Sequence, residues 1–246
     1  MASDIGVHQK FLSPESYSMQ GTLNDLSKWT EDNKMKINEE KSSYMIFTRS
    51  REDFATRLTI NEKNIDQHKV AKLLGVWISE DLSWAKNCQE ICKKAFLRIN
   101  MLSKLKYAGM NQKDLLNIYM LHIRSVAEYC STSFHSSLTL EQERKLETIQ
   151  KVSLKIVLGL NYNSYEDALE VTSLKSLKDR RQDKSLKFAL KSLKHPINKK
   201  MFPMNEQENT QNTRNHEKFH VNFAHTEAYK RSAIPSLQRL LNLKDN

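Results

Sequence analysis

Glycine, proline and cysteine are scarce in this chain, which has 5 Gly, 4 Pro and 3 Cys in 246 residues. A sandwich or barrel of many short strands needs frequent turn residues, so this scarcity favours long helices. Three cysteines, Cys88, Cys92 and Cys130, cannot build a disulfide framework. The composition therefore indicates a reduced, intracellular protein, cytoplasmic or nuclear.

Long apolar runs are also missing. No stretch approaches the roughly 20 apolar residues that a membrane-spanning helix requires. The first seven residues lack the basic start and the apolar run of a secretory signal peptide. We therefore expect no membrane association.

Basic residues outnumber acidic ones, with 39 Lys and Arg against 29 Asp and Glu and a formal net charge of +10. Such an excess favours a polyanionic partner, most simply nucleic acid. A soluble protein with a basic, solvated surface is the alternative that charge alone leaves open.

The first 80 residues predict a helix followed by short strands. Leu23, Leu26 and Trp29 recur at helical spacing, and the segments 44–48, 57–60, 64–65 and 70–78 are apolar and favour strands. Asn61-Glu62-Lys63 is typical of a hairpin turn. The simplest assembly is one small antiparallel sheet over residues 43–79, with the three tryptophans Trp29, Trp77 and Trp84 in the core.

From Trp84 onward the pattern is helical. An apolar stripe at three- and four-residue steps predicts a long helix ended by Gly109, and consists of Trp84, Cys88, Ile91, Ala95, Ile99, Leu102 and Leu105. Further helices are expected from residue 111 or 112 to 130, at 139–159, at 166–171 and at 177–193. Residues 196–225 are polar and are expected to lie extended on the surface or to be disordered, before a short terminal helix.

The predicted fold class is therefore α+β and mainly α, with a small N-terminal antiparallel sheet, a helical bundle and a polar tail. The predicted domain boundaries are 1–80, 81–195 and 196–246.

Several segments, in this order, carry a family resemblance. They are the runs from Trp29 to Phe47 and from Lys72 to Trp84, then Glu128-Tyr129-Cys130, Leu146-Glu147-Thr148-Ile149-Gln150, Leu177-Lys178-Asp179-Arg180-Arg181 and the run from Arg231 to Asn242. Together they resemble the C-terminal part of a non-LTR retrotransposon reverse transcriptase, an RNA-directed DNA polymerase of the jockey-like kind. The resemblance implies a palm remnant, a helical thumb and a helical C-terminal region.

The resemblance also implies roles for individual residues. Lys41 matches a palm lysine thought to protonate the leaving pyrophosphate. Leu74-Gly75-Val76 matches the hairpin that grips the primer end. Several basic residues of the first long helix, which lie largely off its apolar stripe, would face an RNA–DNA or RNA duplex; they are Lys93, Lys94, Arg98, Lys104 and Lys106.

The catalytic carboxylates of that family have no counterpart here. Polymerases of this kind hold two metal ions on an upstream aspartate and a tandem Asp-Asp pair, and this sequence contains no Asp-Asp dipeptide. We therefore expect no metal site and no cofactor, because the magnesium ions would belong to the missing palm. The chain is expected to bind a primer–template-like duplex without extending it, and whether it is an enzyme stays open.

Other constellations favour structural explanations. Cys88 and Cys92 lie one helical turn apart but have too few companions for a zinc site, so core thiols are expected, as for Cys130. His216, His220 and His225 indicate a polar tail rather than a metal cluster. Two alternative functions stay open: a helical protein-interaction module, for which a separate palm is a candidate partner, or a decayed retroelement reading frame without function.

Overall fold

The computed structural model describes residues 6–9, 19–48, 57–205, 218–221 and 223–245. The chain divides into two compact units, residues 1–83 and 84–246. We call them the N-terminal unit and the helical unit. The division falls three residues after the expected boundary at residue 80, and residues 196–246 belong to the helical unit.

The described residues of the N-terminal unit form one long helix and six short strands. The elements are α1 (Met19–Asp32), a 3₁₀ turn (Glu39–Lys41), β1 (Ser43–Tyr44), β2 (Thr59–Ile60), β3 (Lys63–Asn64), β4 (Asp66–Gln67), β5 (Val70–Leu73) and β6 (Val76–Ser79). Its small core packs α1 against the first hairpin through Leu23, Leu58, Ile60 and Ile65.

The strands pair two by two instead of forming the single expected sheet. Within the described residues, β2 pairs with β3 and β5 with β6, both antiparallel, whereas β1 and β4 are parallel. The hairpin turn predicted at Asn61 is confirmed, and the segment 70–78 folds back at Leu74-Gly75. Both turns hold two residues at positive φ, which is the geometry that matches the twist of a tight hairpin.

The helical unit contains ten α-helices within its described residues. They are α2 (Ala85–Tyr107), α3 (Gln112–Ile118), α4 (Arg124–Ala127), α5 (Ser131–Phe134), α6 (Leu140–Leu158), α7 (Tyr165–Thr172), α8 (Leu177–Ser192), α9 (Pro196–Lys199), α10 (Glu227–Lys230) and α11 (Ala233–Asp245). A π-turn (Tyr119–Ile123) joins α3 to α4, and 3₁₀ turns follow α5 (His135–Ser137) and α6 (Gly159–Asn161). The predicted mainly helical α+β class is confirmed.

The main core of this unit is built on the predicted apolar stripe of α2. Cys88, Ile91, Ala95, Ile99 and Leu102 are buried, and they pack with buried residues of α3, the π-turn, α5, α6 and α8. The helix ends before Gly109, whose φ of 87° is unfavourable for residues with a side chain. The stripe and its end are therefore where the periodicity places them.

A second core corrects the expectation for the polar tail. Phe202 and Phe219 are buried against Ala189 of α8 and Leu237 and Leu241 of α11. The side-chain amide of Asn242 donates to the carbonyl of Phe219 at 3.0 Å, and its oxygen accepts from the Phe219 N–H at 2.9 Å. Two apolar residues widely separated in a polar sequence thus anchor part of this segment, while residues 206–217 lie outside the described chain.

Two further expectations are wrong. Trp29 is half exposed rather than a core anchor, because it lies on the outer side of α1. Cys130 is exposed, because α4 ends at Ala127 and the chain passes through a left-handed conformation at Cys130, with φ of 49°.

No helix of the described part is long and apolar enough to cross a membrane.

Helix α6 starts with a capping box that offers a test of this architecture. The Thr139 hydroxyl accepts from the Gln142 N–H at 3.2 Å, and the Gln142 side chain accepts from the Thr139 N–H at 2.9 Å. Thr139→Ala should lower the free energy of unfolding by about 1 kcal/mol, measured by urea denaturation. Thr148→Ala, on the exposed side of the same helix, should change it by less than about 0.5 kcal/mol; equal losses would contradict the capping role.

Candidate nucleic-acid interface

The outer side of α2 is basic, but its cations are not equivalent. Lys93, Lys94 and Lys104 are exposed, and their ammonium groups have no hydrogen-bond or ion-pair partner among the described residues. Lys93 and Lys104 lie eleven residues apart, which is three helical turns, and so share one face. These three ammonium groups are available to an anionic ligand.

Arg98 and Lys106 contact the protein itself. The Arg98 guanidinium donates to the backbone carbonyl of His122 in the π-turn. Lys106 Nζ donates to the carbonyl of Val157 at 3.3 Å, in the last turn of α6. A cation at the end of a helix satisfies a free carbonyl and complements the helix dipole. Both residues were predicted as nucleic-acid ligands, and the structure gives each a role in packing.

Two exposed apolar residues lie on the same stripe as the lysines. Leu97 and Met101 are 61% and 64% exposed. Their spacing from Lys93 and Lys104 places all four on the side opposite the buried stripe. The prediction from basic residues alone missed them, although their positions off the apolar stripe are visible in the sequence. We call Lys93, Lys94, Leu97, Met101 and Lys104 the α2 face.

The charge of the chain is divided unequally between the two units. Residues 84–246 contain 28 Lys and Arg against 16 Asp and Glu, whereas residues 1–83 contain 11 against 13. The whole positive excess therefore belongs to the helical unit. A field of this sign attracts polyanions to that unit and not to the N-terminal one.

The predicted sites of the N-terminal unit differ in accessibility. Lys41 is exposed at the end of the 3₁₀ turn, where its N–H donates to the Asn38 side chain at 3.1 Å. Leu74 and Gly75 form the exposed tip of the β5–β6 hairpin. The Val76 side chain is buried, so of the three predicted hairpin residues Leu74 and Gly75 are the exposed ones. At this exposed tip, backbone groups and the Leu74 side chain are accessible to a ligand.

Residues from three of the motifs that carry the family resemblance contact one another inside the helical unit. Glu128 is buried and binds Arg180 through two hydrogen bonds, one of them at 3.2 Å, and Lys184 Nζ at 2.7 Å. These cations hold the pKa of Glu128 below its usual value although burial opposes them. The pair joins the end of α4 to α8 across about fifty residues of sequence.

Glu147 of α6 caps the N-terminus of α8. Its carboxylate accepts from the N–H groups of Leu177 and Lys178 at 2.9 and 3.2 Å, and from the Tyr165 hydroxyl. Gln150, fully buried one turn later, donates to the Lys175 carbonyl at 3.1 Å. A carboxylate at a helix N-terminus satisfies free N–H groups and complements the dipole. The motif residues therefore determine packing.

Arg181 is fully buried beside this junction, and none of its side-chain nitrogens has a hydrogen-bond partner in the described chain. Burial lowers its pKa, while Glu147 and Glu143 oppose that effect. His135 lies in the same environment, where burial and then Arg181 lower the imidazole pKa to about 4. Burial likewise raises the pKa of the Tyr119 hydroxyl.

The described members of the other candidate groups lie in the core or make surface contacts. Cys88 is buried and Cys92 half-buried, as expected for core thiols, and burial raises the pKa of Cys88 to about 11. His220 contacts Asn205 and His225 stacks edge-on with Phe223, whereas His216 lies outside the described residues. No group of three or more potential metal ligands occurs in the described ranges.

No protein-family model, curated protein or solved structure matches this chain. The residues and their geometry therefore carry the functional proposal.

The division of roles along α2 can be tested by stability. Arg98→Met and Lys106→Met should each lower the free energy of unfolding by about 1 kcal/mol, because each leaves a backbone carbonyl without its donor. Lys93→Met and Lys104→Met should change it by less than about 0.5 kcal/mol. Urea denaturation of the four variants measures these free energies. If Lys93→Met lowered the free energy of unfolding as much as Arg98→Met does, the division into free and packing cations would be wrong.

Stability should also fall in mild acid because of His135. Its folded pKa of about 4 lies below the ordinary value of 6.5, so below pH 6.5 the unfolded state binds a proton that the native state does not. The stabilisation is present above pH 6.5 and lost as the pH falls toward 4.

Between pH 7 and pH 5 the loss should be on the order of 1 kcal/mol, after allowance for partial exposure of the ring. His135→Gln should remove this dependence, and the exposed His122→Gln should not. A wild-type unfolding free energy that is constant over this range would refute the assignment. The groups that act on His135 are Arg181 and Lys178 of α8 and Glu143 of α6.

Proposed function

We propose that this chain is a fragment of a non-LTR retrotransposon reverse transcriptase that binds duplex nucleic acid through the α2 face and does not polymerise on its own. The observation that carries the binding proposal is the set of free, exposed lysines on a unit that contains the whole positive excess of the chain. Such a surface binds phosphates without reading sequence.

The family assignment is supported by how its motifs fit together. Glu128 from one motif binds Arg180 from another, and Glu147 from a third caps the helix on which Arg180 lies. Residues that belong to separate motifs thus make one junction in the helical unit. This mutual contact supports treating the motifs as parts of one helical region.

The α2 face combines charge with an apolar centre. Lys93, Lys94 and Lys104 would neutralise phosphates, and Leu97 and Met101 would contact the sugar and base edges between them. The lysine share of the binding energy comes from counterion release and depends on salt, whereas the apolar share does not. The two shares are therefore separable by experiment.

Polymerisation would require carboxylates that hold metal ions. The described residues bring no group of metal ligands near Lys41, and Glu39, two residues before it, binds Asn61 and Lys63. Protonation of a leaving pyrophosphate by Lys41 would need the rest of a palm. We therefore propose binding and not catalysis as the activity of this chain.

The affinity of the chain for a labelled RNA–DNA duplex should fall steeply with salt. If three phosphates are neutralised, one by each lysine of the α2 face, a fourfold rise in salt should weaken binding by roughly fortyfold. Changing Lys93, Lys94 and Lys104 together to Ala should weaken binding and flatten the salt dependence. Fluorescence titration at several salt concentrations measures both effects.

A second triple variant controls for net charge. Lys187, Lys191 and Lys194 are exposed residues on the outer side of α8 and just beyond its end. Their replacement by Ala removes the same charge and should affect binding much less. Equal effects of the two triples would show attraction by net charge alone and overturn the assignment of the α2 face.

A further inference from the structure

The helical unit contains two buried cores that share no residue. Beyond α7, the first core, which is built on α2, includes Leu177 alone among the described buried residues. The second core is made by α8, α11 and the described chain between them, and its first residue is Leu186. Apolar packing therefore joins the helices from α8 onward to one another more than to the rest. We call residues 177–245 the C-terminal lobe and residues 84–172 the helical body.

Charged side chains make the hydrogen bonds that join the lobe to the body. Three carboxylates of the body bind the first half of α8, and Arg231 of the lobe binds the turn that precedes α6. The bonded pairs are Glu147 with Leu177 and Lys178, Glu143 with Lys178, Glu128 with Arg180 and Lys184, and Arg231 with Ser137 and Leu138. Contacts of this polar kind are typical of surfaces between domains, where relative motion is common.

Arg181 lies in this interface and opposes its closure. Its side chain is 0% exposed, and its three nitrogens have no hydrogen-bond partner among the described residues. Two nearby carboxylates are already bound by other groups, Glu147 by N–H groups of α8 and Glu128 by Arg180 and Lys184. A buried charge without hydrogen bonds is unfavourable, and an apolar side chain of similar size is often more stable in its place.

The connection between α7 and α8 has the features of a hinge. Helix α7 ends at Ser173, which has a left-handed conformation with φ of 52°. Helix α8 begins after Ser176, whose hydroxyl accepts from the Asp179 N–H at 3.0 Å. The Gln150 amide of the body donates to the Lys175 carbonyl at 3.1 Å and so holds the connection to the body. Positions between two such helix ends can absorb a rotation without bending either helix.

We infer that the C-terminal lobe undocks from the helical body as one piece, by rotation about residues 173–176, and that buried Arg181 determines how readily it does so. The second core keeps α8 and α11 together while the polar interface opens. Arg180, Arg181 and Lys184 then leave the carboxylates of the body and become accessible. The inference concerns the helical unit alone and does not rest on nucleic-acid binding by the α2 face.

Native-state amide hydrogen exchange of the full chain, followed by NMR at low urea concentrations, tests the inference. The protected amides of α8 and α11 should share one opening reaction, because the second core moves as a unit. That reaction should expose them about tenfold more often than the amides of α2 and α6, which belong to the first core.

Variants at the interface test the role of Arg181. Arg181→Met removes the buried charge and should slow exchange in α8 and α11 by about tenfold, whereas Arg181→Lys keeps the charge and should not slow it. Glu128→Gln should accelerate exchange in both helices, because Arg180 and Lys184 lose their ionic partner. Lys187→Met, a change at an exposed lysine of α8, is the matched control and should leave the rates unchanged.

Three results would overturn the inference. Equal opening free energies for α2, α6, α8 and α11 would mean that the helical unit opens only as a whole. Different opening free energies for α8 and α11 would mean that no lobe moves as one piece. Exchange in Arg181→Met that is unchanged or faster would show that the arginine does not weaken docking, and failure of this variant to fold would count in the same way.

Discussion

Helix α8 is held by two carboxylates from other helices, and the arrangement of the helical unit depends on them. Glu147 of α6 caps its first turn, and Glu128 at the end of α4 binds Arg180 and Lys184 farther along. Buried carboxylates are tolerated only when their hydrogen bonds are satisfied. Since both are satisfied by groups of the same helix, α8 can dock in only one register, and the second core that packs on its far end is placed with it.

The buried cation at this junction makes an unfavourable electrostatic contribution to the packing of α8. Arg181 next to Arg180 is enclosed without a hydrogen-bond partner in the described chain, and only nearby carboxylates compensate its charge. Burial of a guanidinium in this way is unfavourable. The same enclosure lowers the pKa of the His135 ring, so we expect the packing that fixes α8 also to make the unit sensitive to acid.

Much of the secondary structure of the helical unit can be predicted from local sequence pattern. Few of its contacts between residues distant in sequence can. The stripe from Cys88 to Leu102, the Thr139 cap and the end at Gly109 depend on residues within one or two turns, so periodicity finds them. The π-turn at Tyr119–Ile123 and the left-handed Cys130 interrupt the helical pattern at positions that the apolar periodicity does not indicate. The burial of Phe202 with Phe219 and the Glu128–Arg180 pair join residues far apart in sequence, which no local pattern encodes.

The candidate interface also depends on long-range contacts that local sequence pattern does not predict. The sequence predicted a basic helix side, but which cations are free depends on the carbonyls that the fold brings near them. Arg98 and Lys106 each reach one, and Lys93, Lys94 and Lys104 do not.

The division of charge limits where the proposed nucleic-acid contact can lie. The helical unit contains the whole positive excess of the chain, whereas residues 1–83 have 11 basic against 13 acidic residues. A polyanion would therefore be attracted by the helical unit, and the N-terminal unit would not add to that attraction.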